Sequence, residues 1–194
     1  CYKVDVYARQ PLSRADYFVN AKTGSVIGKN DKLYFTDATG TAATAWSGSQ
    51  TIHSDFTGTV YRLRDYTKGS GVITLHGESA KRGNDYTSAT ANWSLAGFDQ
   101  AALDAHYGVS QTYSFYSTAF ARNSYDGAGT ALYSYVNDPT YIDNAFWDGS
   151  AMNYNKRSTN EPGGVTGIDV TGHELTHGVT QSESNLTYSK ESGA

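Results

Sequence analysis

The sequence contains one cysteine, Cys1, so no disulfide can form within the chain, and cysteine usage gives no positive evidence on the redox compartment. It has no run of about 18 apolar residues, the length that crosses a membrane as a helix. The only methionine is Met152 and the first residue is not methionine. We therefore expect a piece of a longer precursor, so that a missing signal peptide says nothing about secretion.

Clustered positive charge is also missing. Lys and Arg total 15 against 19 Asp and Glu, which gives a formal net charge of −4. Nucleic acid and anionic membrane both require clustered Lys and Arg, so neither is expected as a partner. A monomer is also expected. The mild acidity is compatible with bound divalent cations. Abundant Tyr, Gly, Ser, Thr and Asn are typical of secreted bacterial enzymes, which favours an extracellular location.

What the sequence does contain begins with β-type patterns. Residues 2–6 alternate between apolar and polar types, and a turn at residues 20–24 separates two further β-type runs, so a small antiparallel hairpin is predicted. Residues 36–48 are poor in large apolar side chains and predict an exposed connector. This change in composition places a boundary near Asp37–Ala38 and divides the chain into residues 1–37 and 38–194.

The period of the pattern changes in the middle of the chain. Between residues 99 and 121 the spacing of one set of residues is 4, 3, 4, 3, which lines one face of an amphipathic helix; the set is Ala102, His106, Val109, Tyr113 and Tyr116. His106 on this face is expected to be half-buried, hydrogen-bonded and structural. With short β-type runs between residues 50 and 75, the chain reads as α+β.

The sequence HELTH at residues 173–177 carries the clearest chemical signal. Residues at i and i+4 of a helix share a face, so His173 and His177 can reach one metal ion. Glu174 lies about a quarter-turn away, where its carboxylate can take a proton from a water activated by the metal. Zinc needs three protein ligands in such a site, so one remains to be found. Thr166 and Asp169 are spaced like a capping box at the start of this helix.

Four segments resemble the thermolysin-like family of zinc metallopeptidases, in the order in which that family has them. GIDVTGHELTHGVT at 167–180 resembles the active-site helix, and NAFWDGSAM at 144–152 resembles the substrate-binding edge strand. Residues 102–127, with DAHY and SYDG, resemble the preceding helix and turn. LTYSKESGA at 186–194 is similar to the segment that leads to the third zinc ligand.

The resemblance implies a role for each matching residue. His173 and His177 are expected to bind zinc, and Glu174 to be the general base and then the general acid. The Asn144 side chain and the Ala145 backbone carbonyl are expected to hold an extended peptide substrate. Tyr188 matches a family tyrosine that donates a hydrogen bond to the oxyanion, and Asp169 matches a calcium ligand. Alternatives remain, because Asn144 can be a turn residue, Tyr188 a packing residue and Asp169 a helix cap.

The resemblance also implies the extent of the chain. Residues 1–37 resemble the tail of an inhibitory propeptide, and ATGT at 38–41 resembles the mature N-terminus, although residues 1–37 can also be read as the first strands of the mature domain. The third zinc ligand is expected just past Ala194, and the family's helical C-terminal domain is expected to lie outside residues 1–194. The chain is thus expected to be a β-rich N-terminal lobe with a propeptide attached, inactive by itself.

The resemblance implies a secreted neutral endopeptidase precursor that uses Zn²⁺ and also Ca²⁺, and that acts on peptides with a bulky apolar residue just after the cut. Its partners would be peptide substrates and its own propeptide. Two alternatives stay open. One is another HExxH zinc hydrolase such as an aminopeptidase, and the other is a non-catalytic binding or inhibitory module that has lost its metal.

Overall fold

The computed structural model describes residues 1–9, 12–32, 36–77, 83–95, 97–159 and 162–186. The helices in this part of the chain are α1, Gln100–Phe120, and α2, Ile168–Glu183. The strands, in chain order, are β1 Tyr2–Arg9, β2 Leu12–Val19, β3 Val26–Asp31, β4 Thr36–Ala43, β5 Ser49–Phe56, β6 Tyr61–Arg62, β7 Arg64–Asp65, β8 Val72–His76, β9 Thr87–Ser88, β10 Leu132–Ile142, β11 Ala145–Trp147 and β12 Met152–Lys156.

The N-terminal sheet consists of β1, β2 and β3, all antiparallel. The predicted turn at 20–24 joins β2 to β3, with Asn20 accepting hydrogen bonds from the backbone of Lys22 and Thr23 and with Gly24 at φ 71°. β1 pairs along the whole of β2, from Tyr2 opposite Val19 to Arg9 opposite Leu12. The structure therefore has three strands where the sequence predicted a hairpin.

The prediction of an exposed connector at residues 36–48 is wrong for its first half. Residues 36–43 form β4, which pairs with β5 over its whole length and belongs to the antiparallel sheet β4-β5-β6-β9. The backbone at Ala91 lies directly against this strand at Gly40. A Cβ at Gly40 would be only 1.7 Å from the Ala91 carbonyl oxygen, so glycine is needed for this close approach. Backbone pairing and close approach, rather than large apolar side chains, hold β4, and composition does not report either of them.

The third sheet is mixed, with the order β11-β12-β10-β8-β7. β8 and β10 are parallel, and α1 crosses between them. α1 begins where Asp99 accepts hydrogen bonds from the backbone of Ala101 and Ala102, and it ends at Ala121 in the left-handed conformation. The helix covers the sheet with its first three turns, in which nine residues between Ala101 and Ser110 are buried.

His106 is fully buried, not half-buried as the sequence predicted. Its Nε2 lies 2.9 Å from the carbonyl oxygen of His53, so Nε2 carries the hydrogen, and its Nδ1 accepts from the Thr74 hydroxyl at 3.0 Å. Burial lowers the pKa of His106 and keeps the ring neutral. Because both ring nitrogens are satisfied, His106 is a structural residue that joins α1 to β5 and β8.

The two helices run in the same direction and pack through small residues. A Cβ at Gly108 of α1 would lie 2.1 Å from the Thr171 hydroxyl oxygen of α2. Further along, the hydroxyls of Tyr116 and Thr176 are 2.9 Å apart. This close approach places α2 beside α1 and across the sheet, with the residues at 173–177 facing β11.

The core lies between the mixed sheet and the two helices. Its largest fully buried side chains include Trp93, Tyr154, Leu63, Leu103, Leu132, Met152 and Leu175. In the described ranges, no helix is long and apolar enough to cross a membrane.

Candidate functional site

The two histidines of the HELTH sequence converge. The Nε2 atoms of His173 and His177 are 2.9 Å apart, and their rings are nearly perpendicular. A tetrahedral zinc ion with Zn–N bonds of about 2.05 Å would hold two nitrogens about 3.3 Å apart. The two Nε2 atoms would have to move apart by only about 0.4 Å to bind one zinc ion, so this pair of donors fits a shared zinc site.

Glu174 is buried between the histidines and the sheet, at 5% exposure. Burial raises the pKa of its carboxyl, while the neighbouring His173 and His177 and a hydrogen bond from the Trp147 backbone oppose that rise. A raised pKa makes a carboxylate a better proton acceptor near neutral pH. Glu174 also lines, with His173, two adjoining cavities, and can therefore meet a molecule bound in either one.

The strand β11 forms the open edge of the mixed sheet in the described part of the chain, with β12 on its other side. The carbonyl of Asn144, just before β11, accepts a hydrogen bond from the Asn155 backbone at 2.9 Å. Successive residues of a strand direct their backbone groups to opposite sides, so Ala145 and Trp147 direct theirs away from β12. This side is the one where the Trp147 N–H meets Glu174. Ala145 thus offers its backbone at the edge beside the histidines.

Trp147 fixes the distance between β11 and α2. Its Nε1 donates a hydrogen bond to Gln181 Oε1 at 2.7 Å. Its ring lies against Gly178, where a Cβ would be 3.1 Å from the indole, and 5.0 Å from the ring of Tyr125. Sequence reasoning assigned no role to Gln181, Gly178 or Tyr125. The only available signal was that Gln181 and Gly178 lie on the same helix, within four residues of His177.

The start of α2 differs from the predicted capping box. The N-cap is Gly167, and no side chain caps it. Thr166 is buried and its hydroxyl donates to the Gly163 carbonyl, so it does not cap the helix. Asp169 lies in the first turn, where its negative charge suits the helix dipole, and it lines the cavities near residues 143 and 165.

The described part of the chain does not supply a third zinc ligand beside the two histidines, nor partners for a calcium ion at Asp169. Among the residues that the structure describes, neither Asp169 nor the histidine pair has enough further His, Cys, Asp or Glu side chains nearby to complete a group of three. Tyr188 and the other residues of 187–194 lie outside the described residues. The roles predicted for Tyr188 in catalysis and for Asp169 in calcium binding therefore stay predictions.

A different group of three, Asp37, His53 and Asp65, does come together, and sequence reasoning missed it. His53 Nδ1 lies 2.8 Å from the Asp37 carboxylate. The buried Asp65 already accepts hydrogen bonds from the Thr67 backbone and from Lys68 Nζ, at 2.9 and 2.7 Å. The Lys68 ammonium compensates the charge of Asp65, so this group is explained as an ion-paired structural cluster.

A continuous groove runs along α2, and we call it the cleft. It consists of three adjoining cavities of about 510, 490 and 500 Å³, which share residues from one to the next. Ala145, His173 and Glu174 are common to the first two cavities, and Val165 and Val170 are common to the second and third. The cleft thus passes from Gln181, across the histidines, to Ile168 at the start of α2.

A family model matches most of the chain. Residues 38–181 match the family described as thermolysin metallopeptidase, catalytic domain, and the chain belongs to this family. The family prediction made from the sequence is therefore confirmed.

Similar proteins include bacillolysins of two Bacillus species. The chain is 34% identical over 193 residues to bacillolysin of Bacillus subtilis (strain 168), covering 97% of this chain and 37% of that protein. It is 39% identical over 167 residues to bacillolysin of Bacillus cereus, covering 82% of this chain and 28% of that protein. The chain thus spans well under half the length of both relatives.

A solved structure is also similar, the precursor of protealysin, a metalloproteinase from Serratia proteamaculans. It has a TM-score of 0.52 and 31% identity, and the match covers 65% of this chain and 40% of that one. This likeness agrees with a β-rich lobe that carries two helices.

Proposed function

We propose that this chain is part of the precursor of a zinc-dependent endopeptidase, with its catalytic centre at His173, Glu174 and His177. The observation that carries the proposal is the convergence of the two Nε2 atoms beside a buried carboxylate, under the open edge of a sheet. Membership of a metallopeptidase family supports it.

His173 and His177 would hold the zinc ion through neutral imidazole nitrogens. When bound, zinc polarises the scissile carbonyl and lowers the pKa of the attacking water. Glu174 would take the proton from this water and then deliver it to the leaving amine. Its buried position supports this role, because burial raises the pKa of the carboxyl towards the range in which both transfers are feasible.

The substrate would bind as an extended strand beside β11. The Ala145 backbone would extend the sheet, and the exposed Asn144 side chain would contact the peptide. Val165 and Val170 line the cavity next to His173, which suits a bulky apolar residue just after the cut. Tyr188 would donate to the oxyanion, and Asp169 would join a calcium site with residues further along the chain.

Residues 1–37 would be the tail of an inhibitory propeptide and residues 38–194 the N-terminal part of the catalytic domain. The family match begins at residue 38, which supports this division. The proposed junction lies inside β4, where Asp37 pairs with Asp55 and Ala38 with Ser54. Cleavage there would require the first residues of β4 to leave β5. We further propose that the enzyme acts outside the cell.

The experiment uses a chain that continues past Ala194, where the third zinc ligand is expected, and a peptide with a blocked N-terminus. Glu174→Gln should lower kcat by at least about 100-fold with zinc still bound, because the proton acceptor is lost. Glu183→Gln on the exposed side of the same helix is the matched control and should change kcat by less than about twofold.

Three results would contradict the proposal. Hydrolysis by Glu174→Gln within threefold of the parent would exclude Glu174 as the base. Cleavage only of peptides with a free N-terminus would indicate an aminopeptidase. A longer chain that binds less than one zinc ion per molecule would indicate a non-catalytic module.

A further inference from the structure

Two hydroxyl groups lie in the core behind Glu174. Tyr154 of β12 and Ser134 of β10 are each 0% exposed. β10 and β12 are parallel neighbours in which Ser134 lies beside Met152, and the next pair on the same side is Tyr154 with Val136. Met152, Val136 and Tyr154 belong to the core that packs against α1 and α2. Both hydroxyl groups therefore lie on the side of the sheet that faces the helices.

Tyr154 also lies beside the catalytic part of the edge strand. It pairs opposite Ala145 of β11, and Ala145 and Glu174 line the same two cavities. Leu175, which follows Glu174, packs in the same core cluster as Tyr154. Burial raises the pKa of the Tyr154 hydroxyl, and the charge of the Glu174 carboxylate raises it further. The Tyr154 hydroxyl and the Glu174 carboxylate are therefore neighbours in the core.

Neither hydroxyl group is satisfied by another group in the described part of the chain. Tyr154 Oη and Ser134 Oγ both lack a hydrogen-bond partner among the described residues. The two groups are near each other, since Ser134 partly offsets the rise in the pKa of Tyr154, but they do not reach hydrogen-bond geometry. A buried hydroxyl without a partner costs free energy, and buried polar groups in proteins nearly always have a partner, in many cases an ordered water.

One water molecule meets the requirements of all three groups. A buried water typically makes about three hydrogen bonds to buried polar groups. It can accept a hydrogen bond from Tyr154, donate one to the Glu174 carboxylate and take Ser134 as its third partner. The Glu174 carboxylate also accepts a hydrogen bond from the Trp147 backbone N–H. These two donors would hold the carboxylate in one orientation beside the histidines.

We propose that Tyr154 and Ser134 hold one buried water, which fixes the orientation of the Glu174 carboxylate. Tyr154 and Ser134 are positioning residues, because they act on the substrate only through Glu174. The inference rests on the proposed function, since it concerns the base of the same reaction. The three groups belong to β10, β12 and α2, so this water site is complete within the described residues.

The first experiment measures stability, without hydrolysis. Tyr154→Phe and Ser134→Ala each remove one hydroxyl group and leave the rest of the side chain in place. Each variant should lower the urea midpoint of the 194-residue chain, because a satisfied hydrogen bond is lost. The double variant should lower the midpoint by less than the sum of the two, because the same water is lost only once. Tyr133→Phe, next to Ser134 but exposed, is the control and should leave the midpoint unchanged.

Two outcomes of this experiment would overturn the inference. A higher midpoint in Tyr154→Phe or Ser134→Ala would show that the hydroxyl has no partner, because its removal then stabilises the core. Losses that add in full in the double variant would show that the two hydroxyl groups have separate partners.

The link to Glu174 is measured in the same way. Tyr154→Phe should lower the midpoint less in a Glu174→Leu background than in the parent, because the water has already lost its acceptor there. Equal losses in the two backgrounds would exclude Glu174 as a partner of the water. A crystal structure of the chain extended past Ala194 should show one water at about 2.8 Å from Tyr154 Oη, Ser134 Oγ and a Glu174 oxygen. A dry gap between these groups would refute the site.

The last experiment measures hydrolysis of a blocked peptide by the extended chain. Tyr154→Phe should lower kcat about tenfold and change KM less than twofold, with zinc still bound in full, because the base is less well oriented. Tyr133→Phe should change neither constant. A higher KM at unchanged kcat would contradict the positioning role, because it would indicate a disturbed substrate edge instead.

Failure of the inference and failure of the proposed function give different results. Hydrolysis that Tyr154→Phe leaves unchanged would refute the positioning role and leave the proposed function intact. Coupled losses of stability in a chain that hydrolyses no peptide would refute the proposed function and leave the water site intact.

Discussion

The N-terminal sheet, β1 to β3, and the lobe from β4 to α2 are stabilised in different ways. Among its described side chains, the sheet buries only Ala15 and Asp16, and its strands pair with no other described strand. The lobe buries Trp93, Tyr154 and a set of aliphatic residues between two helices and a sheet. One region therefore depends on backbone pairing and charge, and the other depends on packing.

The charges of the N-terminal sheet form one network on one face. Lys32 Nζ lies 2.6 Å from Asp16 and 3.0 Å from Asp5, while Lys3 pairs with Asp16 and Arg14 with Asp5. Hydrogen bonds from Arg14 and Lys32 lower the pKa of Asp5, and those from Lys3 and Lys32 lower the pKa of Asp16. The opposite face leaves Tyr2, Val4 and Val6 exposed. A three-stranded sheet without a covered apolar face has little stability of its own in water. We therefore expect ion pairs to contribute a larger share of the stability here than in the lobe.

The largest expected effect tests packing in the lobe. Gly108→Ala should lower the free energy of unfolding by about 2 kcal/mol, because the new methyl would lie 2.1 Å from the Thr171 hydroxyl and force α1 and α2 apart. Urea unfolding followed by tryptophan fluorescence measures the change.

Two glycines provide matched controls. A Cβ at Gly172 of α2 would lie 3.6 Å from Thr112, and one at Gly28 of the N-terminal sheet would lie 3.5 Å from Phe18, both ordinary contacts. Gly172→Ala and Gly28→Ala should each be neutral or stabilising by up to about 1 kcal/mol. If all three variants lost the same free energy of unfolding, close packing of α1 against α2 would not be a special source of stability in the lobe.

The second prediction concerns the buried carboxylate of Asp104 in the lobe, where the expected loss of stability is similar or smaller. Asp104→Ala should lower the free energy of unfolding by about 1–2 kcal/mol, because the N–H groups of Ala45 and Trp46 lose their acceptor. Hydrogen exchange at these two amides should accelerate. Asp126→Ala, at an exposed turn, is the control and should cost less. Unchanged exchange at residues 45 and 46 would contradict the role of Asp104.

The smallest effect is expected from the ion network of the N-terminal sheet. Since the folded-state pKa values of Asp5 and Asp16 are lowered, their stabilisation is present above the ordinary carboxyl pKa of 3.8 and is lost as pH falls below it. The protection of amides in β1 to β3 against hydrogen exchange, relative to the unstructured rate at each pH, should therefore fall between about pH 4 and 2, before protection in β8 and β10 does.

A charge variant tests the same network at neutral pH. Lys32→Met should accelerate exchange in β1 to β3, whereas Lys22→Met, in the turn and outside the network, should not. The difference should shrink in high salt, which screens exposed pairs. Equal exchange in both variants would show that backbone pairing alone holds the sheet.

The sequence by itself determined the elements that depend on local pattern. The 4, 3, 4, 3 spacing between residues 99 and 121 corresponds to α1, and Asn20 with Gly24 forms the predicted turn. The i, i+4 spacing of His173 and His177 placed both rings on one face of α2, because helix geometry fixes it. The family also followed from short motifs in order.

Only the tertiary structure decided what depends on residues far apart in sequence. β4 exists because β5 pairs with it and because Gly40 admits the Ala91 carbonyl, although its composition indicates a connector. Thr166 fails as a cap because its buried hydroxyl donates to Gly163. Glu174 is buried because the mixed sheet packs against α2, and the contact of Trp147 with Gln181 joins residues that are 34 positions apart. Local sequence carries no record of such distances, because packing and pairing free energies are set by the partner as much as by the residue itself.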